Sequence, residues 1–132
     1  MTDWIYLPFP KFLSKYLFIL QIISIFAKKN GETMYGLSER SFKELLDILS
    51  SIPEIEEASI YGSRARGEYW RASDIDLSLK GKHLNRHVLR VLNDKLYESH
   101  IPYFFDTTIF ADIKNPKFRD NIIRDGKVLF KR

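Results

Sequence analysis

Apolar and polar positions recur with regular periods over residues 34–132, and these periods predict the secondary structure. In three segments the apolar side chains recur at helical spacing. The first and third segments start and stop at residues that commonly bound a helix. The predicted helices run from the N-cap Ser38 to Pro53, from about residue 83 to 99, and from Asn115-Pro116 to Gly126.

Four shorter segments have the pattern of β-strands. They are residues 58–61, 73–79, 102–110 and 127–130. In the second, the apolar residues at 75, 77 and 79 alternate strictly with Asp74, Asp76 and Ser78, so the two sets face opposite sides. The order α-β-β-α-β-α-β predicts an α/β (α+β) fold, with a single mixed β-sheet backed by helices on one face.

Residues 1–33 differ from the rest. They contain an apolar run at 16–27 with lysines on both sides. A membrane-spanning helix needs about 20 residues, so the run is too short and no transmembrane span is expected. No small-x-small cleavage site precedes Lys28. The run is either a helix packed on the domain or a partner, a helix on a membrane surface, or a segment upstream of a true start at Met34. We therefore divide the chain into an N-terminal extension, 1–33, and one domain, 34–132.

Composition excludes several classes of protein. A chain of 132 residues with 45% hydrophobic and 29% charged residues is typical of one folded domain rather than of a disordered protein. The absence of cysteine excludes disulfides and thiolate metal sites and is compatible with a cytoplasmic location. The net charge of +4 is spread over the chain, and no helix face collects a basic stripe. Nucleic acid is therefore not expected as the principal partner.

Asp74 and Asp76 form an Asp-x-Asp pattern on the second predicted strand. Residues i and i+2 of a strand point to the same side, about 7 Å apart along the chain. Two such carboxylates repel each other unless a cation lies between them. Mg²⁺ is commonly held by one or two carboxylates together with substrate phosphates and water. By itself the pattern is more typical of a strand with one polar face in water.

Gly62-Ser63 stands ten residues before this pattern, at the predicted end of the first strand. A turn from a strand into a helix exposes N–H groups and a hydroxyl to an anion, and glycine lets a phosphate approach closely. Four specified positions at a fixed spacing arise by chance in about 10⁻³ of chains of this size. The two patterns together therefore indicate one site for metal-bound nucleotide.

Asp106 interrupts the aromatic, apolar strand predicted at 102–110. A carboxylate buried among aromatic rings needs a partner, because burying it unpaired costs several kcal/mol. That partner is either a metal shared with the other aspartates or an arginine such as Arg64. The upstream pattern favours the metal.

The stretch GSRARG…SDIDL resembles the signature of the DNA polymerase β-like nucleotidyltransferase superfamily, and in particular its small prokaryotic branch, the MNT-domain (minimal nucleotidyltransferase) proteins. The resemblance covers about residues 38–132. It implies an ATP site in which Gly62, Ser63 and Arg66 engage the phosphates. It also implies that Asp74 and Asp76 bind divalent metal and that Asp106 completes the site and helps to activate the attacking hydroxyl. Three carboxylates can hold two Mg²⁺ ions.

The resemblance also implies a biological role. MNT-branch proteins are commonly antitoxins that transfer AMP from ATP to a tyrosine hydroxyl of a HEPN-domain toxin, which they bind in a hetero-oligomer. Two alternatives remain: a module that neutralises its toxin by contact alone, and a nucleotidyltransferase acting on a small molecule or RNA. The presence of all three aspartates favours catalysis over contact alone.

Other candidates are weaker. Arg64 either contacts phosphate or braces the turn. Tyr69 and Trp70 either stack on a base or a partner or are partly exposed loop aromatics. The histidines have no ligand spacing and are expected at the surface: His83, His87 and His100.

Overall fold

The computed structural model of the chain describes residues 34–132. The expectations for residues 1–33, including the apolar run at 16–27, lie outside these residues. Within the described part of the chain, no helix is long and apolar enough to cross a membrane.

Within residues 34–132, three long helices and four strands follow one another in the predicted order, with one further short helix and a 3₁₀ turn. The elements are α1 (Glu39–Ser50), β1 (Glu57–Tyr61), α2 (Gly62–Arg66), β2 (Ile75–Lys80), α3 (Arg86–Tyr97), β3 (Phe105–Ile109), a 3₁₀ turn (Phe110–Asp112), α4 (Pro116–Asp125) and β4 (Lys127–Lys131). The short helix α2 is the turn that the sequence predicted after Gly62.

Side-chain caps explain where the three long helices begin. The Oγ atom of Ser38 accepts a hydrogen bond from the Ser41 N–H at 3.1 Å, and Oδ1 of Asn85 accepts from the Val88 N–H at 2.9 Å. Asn115 caps α4 in the same way, with proline in the first turn. The cap at Asn85 starts α3 at Arg86, three residues later than predicted.

The four strands form one mixed sheet in the order β3-β2-β1-β4. Strand β1 is antiparallel to both of its neighbours, and β2 and β3 are parallel. The parallel pair is connected through α3, as a crossover between parallel strands requires. The predicted single mixed sheet is confirmed, and among the described residues β3 and β4 are its edges.

The main core lies between one face of the sheet and helices α1 and α3. Both helices bury their apolar stripes there, and the strands contribute the alternate residues that face the same way. The fully buried strand residues include Ala58, Ile60, Ile75, Leu77 and Leu79.

Helix α4 does not join this core, so the expectation that all helices back one face is wrong. Its Ile122 packs with Tyr61 and Ile113 in a second, smaller cluster. Tyr61 follows Ile60 on β1, and consecutive strand residues point to opposite faces. Helix α4 therefore covers part of the other face and leaves the rest of that face for a site.

Strand β2 begins two residues later than predicted, because Ser73 is held in the preceding turn. Its Oγ atom accepts a hydrogen bond from the Trp70 N–H at 2.8 Å. Its carbonyl oxygen accepts two hydrogen bonds from Arg64, at 3.0 and 2.7 Å. Asp74 consequently lies just before the strand, and only Asp76 is part of it.

Candidate functional site

Asp76 and Asp106 are neighbours across the parallel strands β2 and β3. The strand register places Asp76 opposite Asp106 on one side and opposite Tyr61 on the other. Paired residues of adjacent strands point to the same face and are about 4.8 Å apart at the backbone. The fold thus brings together two carboxylates that are 30 positions apart in the chain, on the face opposite the main core.

Gly62 brings the Gly-Ser turn against the same carboxylate. Its φ of +74° lies in the left-handed region, which favours glycine. A Cβ atom at this position would collide with Oδ2 of Asp76. Position 62 therefore needs glycine for two independent reasons, and Ser63 follows it directly in the first turn of α2.

Asp76 is the electrostatic centre of the site. Its side chain is half-buried, and burial is the main reason why its pKa is raised above the ordinary value. The carboxylates of Asp106 and Asp74 raise this pKa further. Arg66 and Arg64 oppose the shift without cancelling it. Negative charge is therefore crowded at Asp76, which is the condition that a bound cation would relieve.

The carboxylates fit a metal that is shared with a substrate rather than one enclosed by protein. No group of three His, Asp or Glu side chains within residues 34–132 is arranged to hold a metal ion unaided. Mg²⁺ seldom requires such a cage, because water and phosphate oxygens usually complete its octahedron. The adjacent oxygen donors of Asp76 and Asp106 meet that requirement, and the exposed Asp74 lies close enough to raise the pKa of Asp76.

The argument that Asp106 is buried among aromatic residues is wrong. Its side chain is exposed, and the neighbouring rings point elsewhere. Phe105 packs against the main core, and Phe104 is 78% exposed. Asp106 is an open carboxylate that a metal or an incoming hydroxyl can reach.

Arg64 braces the turn and forms no ion pair with a carboxylate of residues 34–132. Its side chain is 1% exposed and donates hydrogen bonds to the carbonyl oxygens of Ser73 and, at 2.9 Å, of Tyr35. The guanidinium carbon lies 4.3 Å from the ring centre of Tyr103 and 5.1 Å from that of Tyr69. Of the two roles considered for Arg64, the structure supports the brace.

Arg66 is exposed on the same short helix and is ion-paired in this structure. Its guanidinium lies 3.1 Å from Glu68 and 3.5 Å from Asp125 at the end of α4. The pKa of Asp125 is lowered, chiefly by its hydrogen bonds with Arg124. A phosphate at Arg66 would have to compete with these carboxylates.

For Tyr69, Trp70 and the histidines, the structure supports the simpler interpretation, that they are loop aromatics and surface residues. Trp70 is 82% exposed, and Tyr69 is partly buried against Arg64. All three histidines are exposed, as expected.

Tyr61 was missed by the sequence reasoning, although it stands directly before Gly62 at the end of β1. Burial is the main cause of its raised pKa; a hydrogen bond with Thr108 opposes the shift, and Asp106 and Asp76 add to it. Its ring packs edge-on against Phe118 of α4, with 5.8 Å between ring centres. Its alternation with Ile60 was the available signal that it faces the site.

Comparison with known proteins agrees with this geometry. The family described as "Polymerase beta, Nucleotidyltransferase" matches residues 43–132. No curated protein sequence matches the chain significantly.

Three solved structures share the fold. A toxin–antitoxin with AMP-PNP has a TM-score of 0.59 at 19% identity, covering 69% of this chain and 73% of that one. A mutant of the toxin–antitoxin MntA–HpeT has a TM-score of 0.56 at 15% sequence identity, and the match covers 69% of this chain and 73% of that one. The tri-AMPylated Shewanella oneidensis HEPN toxin in complex with MNT antitoxin has a TM-score of 0.54 at 17% sequence identity. This match covers 71% of this chain and 72% of that one.

At these identities the structures establish the fold alone, whereas the family match extends over more than half of the chain and includes Gly62, Ser63 and all three aspartates. The chain belongs to the polymerase β nucleotidyltransferase family.

Proposed function

We propose that this protein is an antitoxin that transfers AMP from ATP to a hydroxyl group of a partner protein, a tyrosine of a HEPN-domain toxin. Family membership supports nucleotidyl transfer. The observation that carries the proposal is the placement of Asp76 between Gly62 and Asp106, which joins the Gly-Ser turn to a pair of carboxylates. The partner is inferred from similar folds whose structures contain a toxin and an antitoxin.

The nucleotide is assigned to the side of the site that carries hydroxyl and basic groups. Ser63 and the backbone of Gly62 would contact the phosphates, and Arg66 would leave Glu68 and Asp125 to join them. Asp74, Asp76 and Asp106 would hold two Mg²⁺ ions together with the triphosphate. Bound Mg²⁺ supplies charge neutralisation at the phosphates and lowers the pKa of the attacking oxygen.

The reaction transfers an intact AMP unit. The partner's hydroxyl oxygen attacks the α-phosphorus of ATP, and the bond from that phosphorus to the bridging oxygen of the β-phosphate breaks. Pyrophosphate leaves and carries the electron pair of that bond. The proton of the hydroxyl passes to the carboxylate of Asp106 and from there to water. The exposure of Asp106 is what makes it reachable by the incoming hydroxyl.

The test uses ATP labelled at either end of its triphosphate, together with the full-length chain and a HEPN-domain partner produced without it. We expect label from the α-phosphate, and none from the γ-phosphate, on one partner tyrosine, which peptide mass spectrometry would locate. Asp76→Asn and added chelator should both abolish labelling. Asp120→Asn is the matched control, because Asp120 is an exposed aspartate of α4 outside the site.

Other outcomes would refute the proposal in distinct ways. Label on RNA or on a small molecule, with none on protein, would show that the acceptor is not a protein. Neutralisation of the toxin with no label on any acceptor would show that contact alone is the function.

We propose a cytoplasmic location on the basis of the cysteine-free composition.

A further inference from the structure

A groove of about 630 Å³ runs along the outer edge of β3, between that strand and the C-terminal half of α3. This volume lies in the range of ligand-binding clefts. Two large side chains on it are mostly exposed, Tyr97 at 87% and Phe104 at 78%. We call it the edge groove, and its main surfaces are formed by Asp94, Tyr97, Pro102, Phe104, Phe105 and Thr107, with Asp106 at its boundary.

The edge groove exposes unpaired backbone groups. The carbonyl oxygen of Phe104 accepts a hydrogen bond from the Ile75 N–H at 2.9 Å, so residue 104 turns its backbone groups towards β2. Backbone groups alternate in direction along a strand, and those of Phe105 and Thr107 therefore face outward into the groove. Within residues 34–132 these outward groups have no hydrogen-bond partner. Such an edge is a template for an added strand.

Charge separates the edge groove from the nucleotide. Its charged lining residues, among those the structure describes, are Asp94 and Asp106, and none is basic. Asp94 would repel the phosphates of ATP and attract a segment that carries lysine or arginine, whereas Asp106 is shared with the carboxylate pair. The basic residue of the nucleotide side, Arg66, lies on α2 beside β1 rather than on β3.

We propose that the edge groove binds the acceptor segment of the protein substrate. The segment adds to β3 as an extended strand, places apolar side chains on Tyr97 and Phe104, and presents basic side chains to Asp94. Its acceptor hydroxyl then reaches Asp106, the residue that the groove shares with the carboxylate pair. This inference deepens the proposed AMP transfer and rests on it for the identity of the reacting group.

The first experiment measures AMP transfer to the HEPN-domain partner by the double variant Tyr97→Ala/Phe104→Ala. Both side chains are mostly exposed, so the fold should tolerate their loss. We expect the KM for the partner to rise roughly tenfold or more, with kcat changed by no more than about threefold, because aromatic anchors contribute binding rather than chemistry. The affinity for ATP should not change. Ile123→Ala, which removes a 68% exposed apolar side chain of α4, is the matched control and should behave as wild type.

The second experiment does not depend on catalysis. The ¹⁵N-labelled full-length chain is titrated with a short synthetic peptide in which tyrosine is flanked by leucine and lysine, and with the same peptide carrying glutamate for lysine. We expect the basic peptide to protect the amides of Phe105 and Thr107 from hydrogen exchange and to bind roughly tenfold more tightly than the acidic one. Asp94→Asn should reduce that preference, and the double variant should weaken binding of both peptides.

The two experiments separate failure of the docking site from failure of the proposed function. Peptide binding in the groove without AMP transfer to any protein would support the docking site and refute the assignment as a transferase. Transfer by the double variant at the wild-type KM would overturn the docking site and leave the transferase. Equal affinity for the two peptides, or protection of Phe105 and Thr107 already in the free full-length chain, would also overturn the docking site.

Discussion

The carboxylate of Asp76 occupies the space that a side chain on residue 62 would need, so Gly62 and Asp76 are in direct contact across β1 and β2. This contact joins the turn that would bind phosphate to the strand that would bind metal. A substitution at either residue should therefore change the environment of the other.

Gly62→Ala should lose stability and nucleotide binding together. The substitution places a Cβ atom on a residue with positive φ, at a cost of about 1–2 kcal/mol, and displaces Asp76 as well. Gly67→Ala is a matched control, because Gly67 has nearly the same φ of +75° and no atom of residues 34–132 lies where its Cβ would stand. Urea unfolding should show a loss in both variants and a larger one in Gly62→Ala. Calorimetry should show weakened ATP·Mg²⁺ binding in Gly62→Ala alone, and equal binding in the two variants would argue against the contact.

Local sequence patterns account for most of the fold. The alternation at residues 75, 77 and 79 predicts β2 because strand periodicity is a local property, and the caps at Ser38 and Asn115 are equally local. The strand boundary at Ser73 could not be predicted, because it depends on hydrogen bonds from Arg64.

The sequence predicted which residues belong to the candidate site but not how those residues are arranged in space. The pairing of Asp76 with Asp106 follows from the parallel register of two strands that α3 separates, and no short-range pattern encodes that register. For the same reason the sequence could not distinguish the buried Arg64 from the exposed Arg66. Besides the nearby Tyr69 and Ser73, Arg64 is surrounded by Tyr35 and Tyr103, which come from distant parts of the chain.

Asp76→Asn should stabilise the metal-free protein at neutral pH. The raised pKa of Asp76 means that folding favours its protonated form. Its stabilising contribution is therefore complete below the pKa of the unfolded chain, about 3.9, and is lost as the pH rises through the pKa in the folded protein. The neutral variant avoids this loss. Unfolding midpoints in chelator, measured from pH 4 to pH 8, should diverge as the pH rises, with the variant above wild type. A variant less stable than wild type at pH 7 would contradict the crowding of charge at Asp76.

Asp125→Asn should tighten ATP binding. Asp125 pairs with Arg66 at 3.5 Å, and removing its charge makes the guanidinium more available to phosphate. Ion pairs with one solvent-exposed partner, here Arg66, are weak, so we expect the Kd for ATP·Mg²⁺ to fall by about two- to fivefold. Asp120→Asn removes the same charge from an exposed position of the same helix and serves as the control. Identical Kd values for the two variants would exclude Arg66 from the phosphate site.

The central claim is that the carboxylate pair transfers AMP to a partner protein, and the rate of that transfer by Asp106→Asn tests it most directly. The substitution keeps the shape of an exposed side chain and removes the charge that would accept the proton and hold metal. The measurement is single-turnover labelling of the HEPN-domain partner from α-labelled ATP, with calorimetric ATP·Mg²⁺ binding recorded for the same preparation and Asp120→Asn as control. We predict that the rate falls about 10²-fold or more while nucleotide binding weakens only several-fold. Transfer by Asp106→Asn at the wild-type rate would contradict the assignment of Asp106 and the catalytic account built on it.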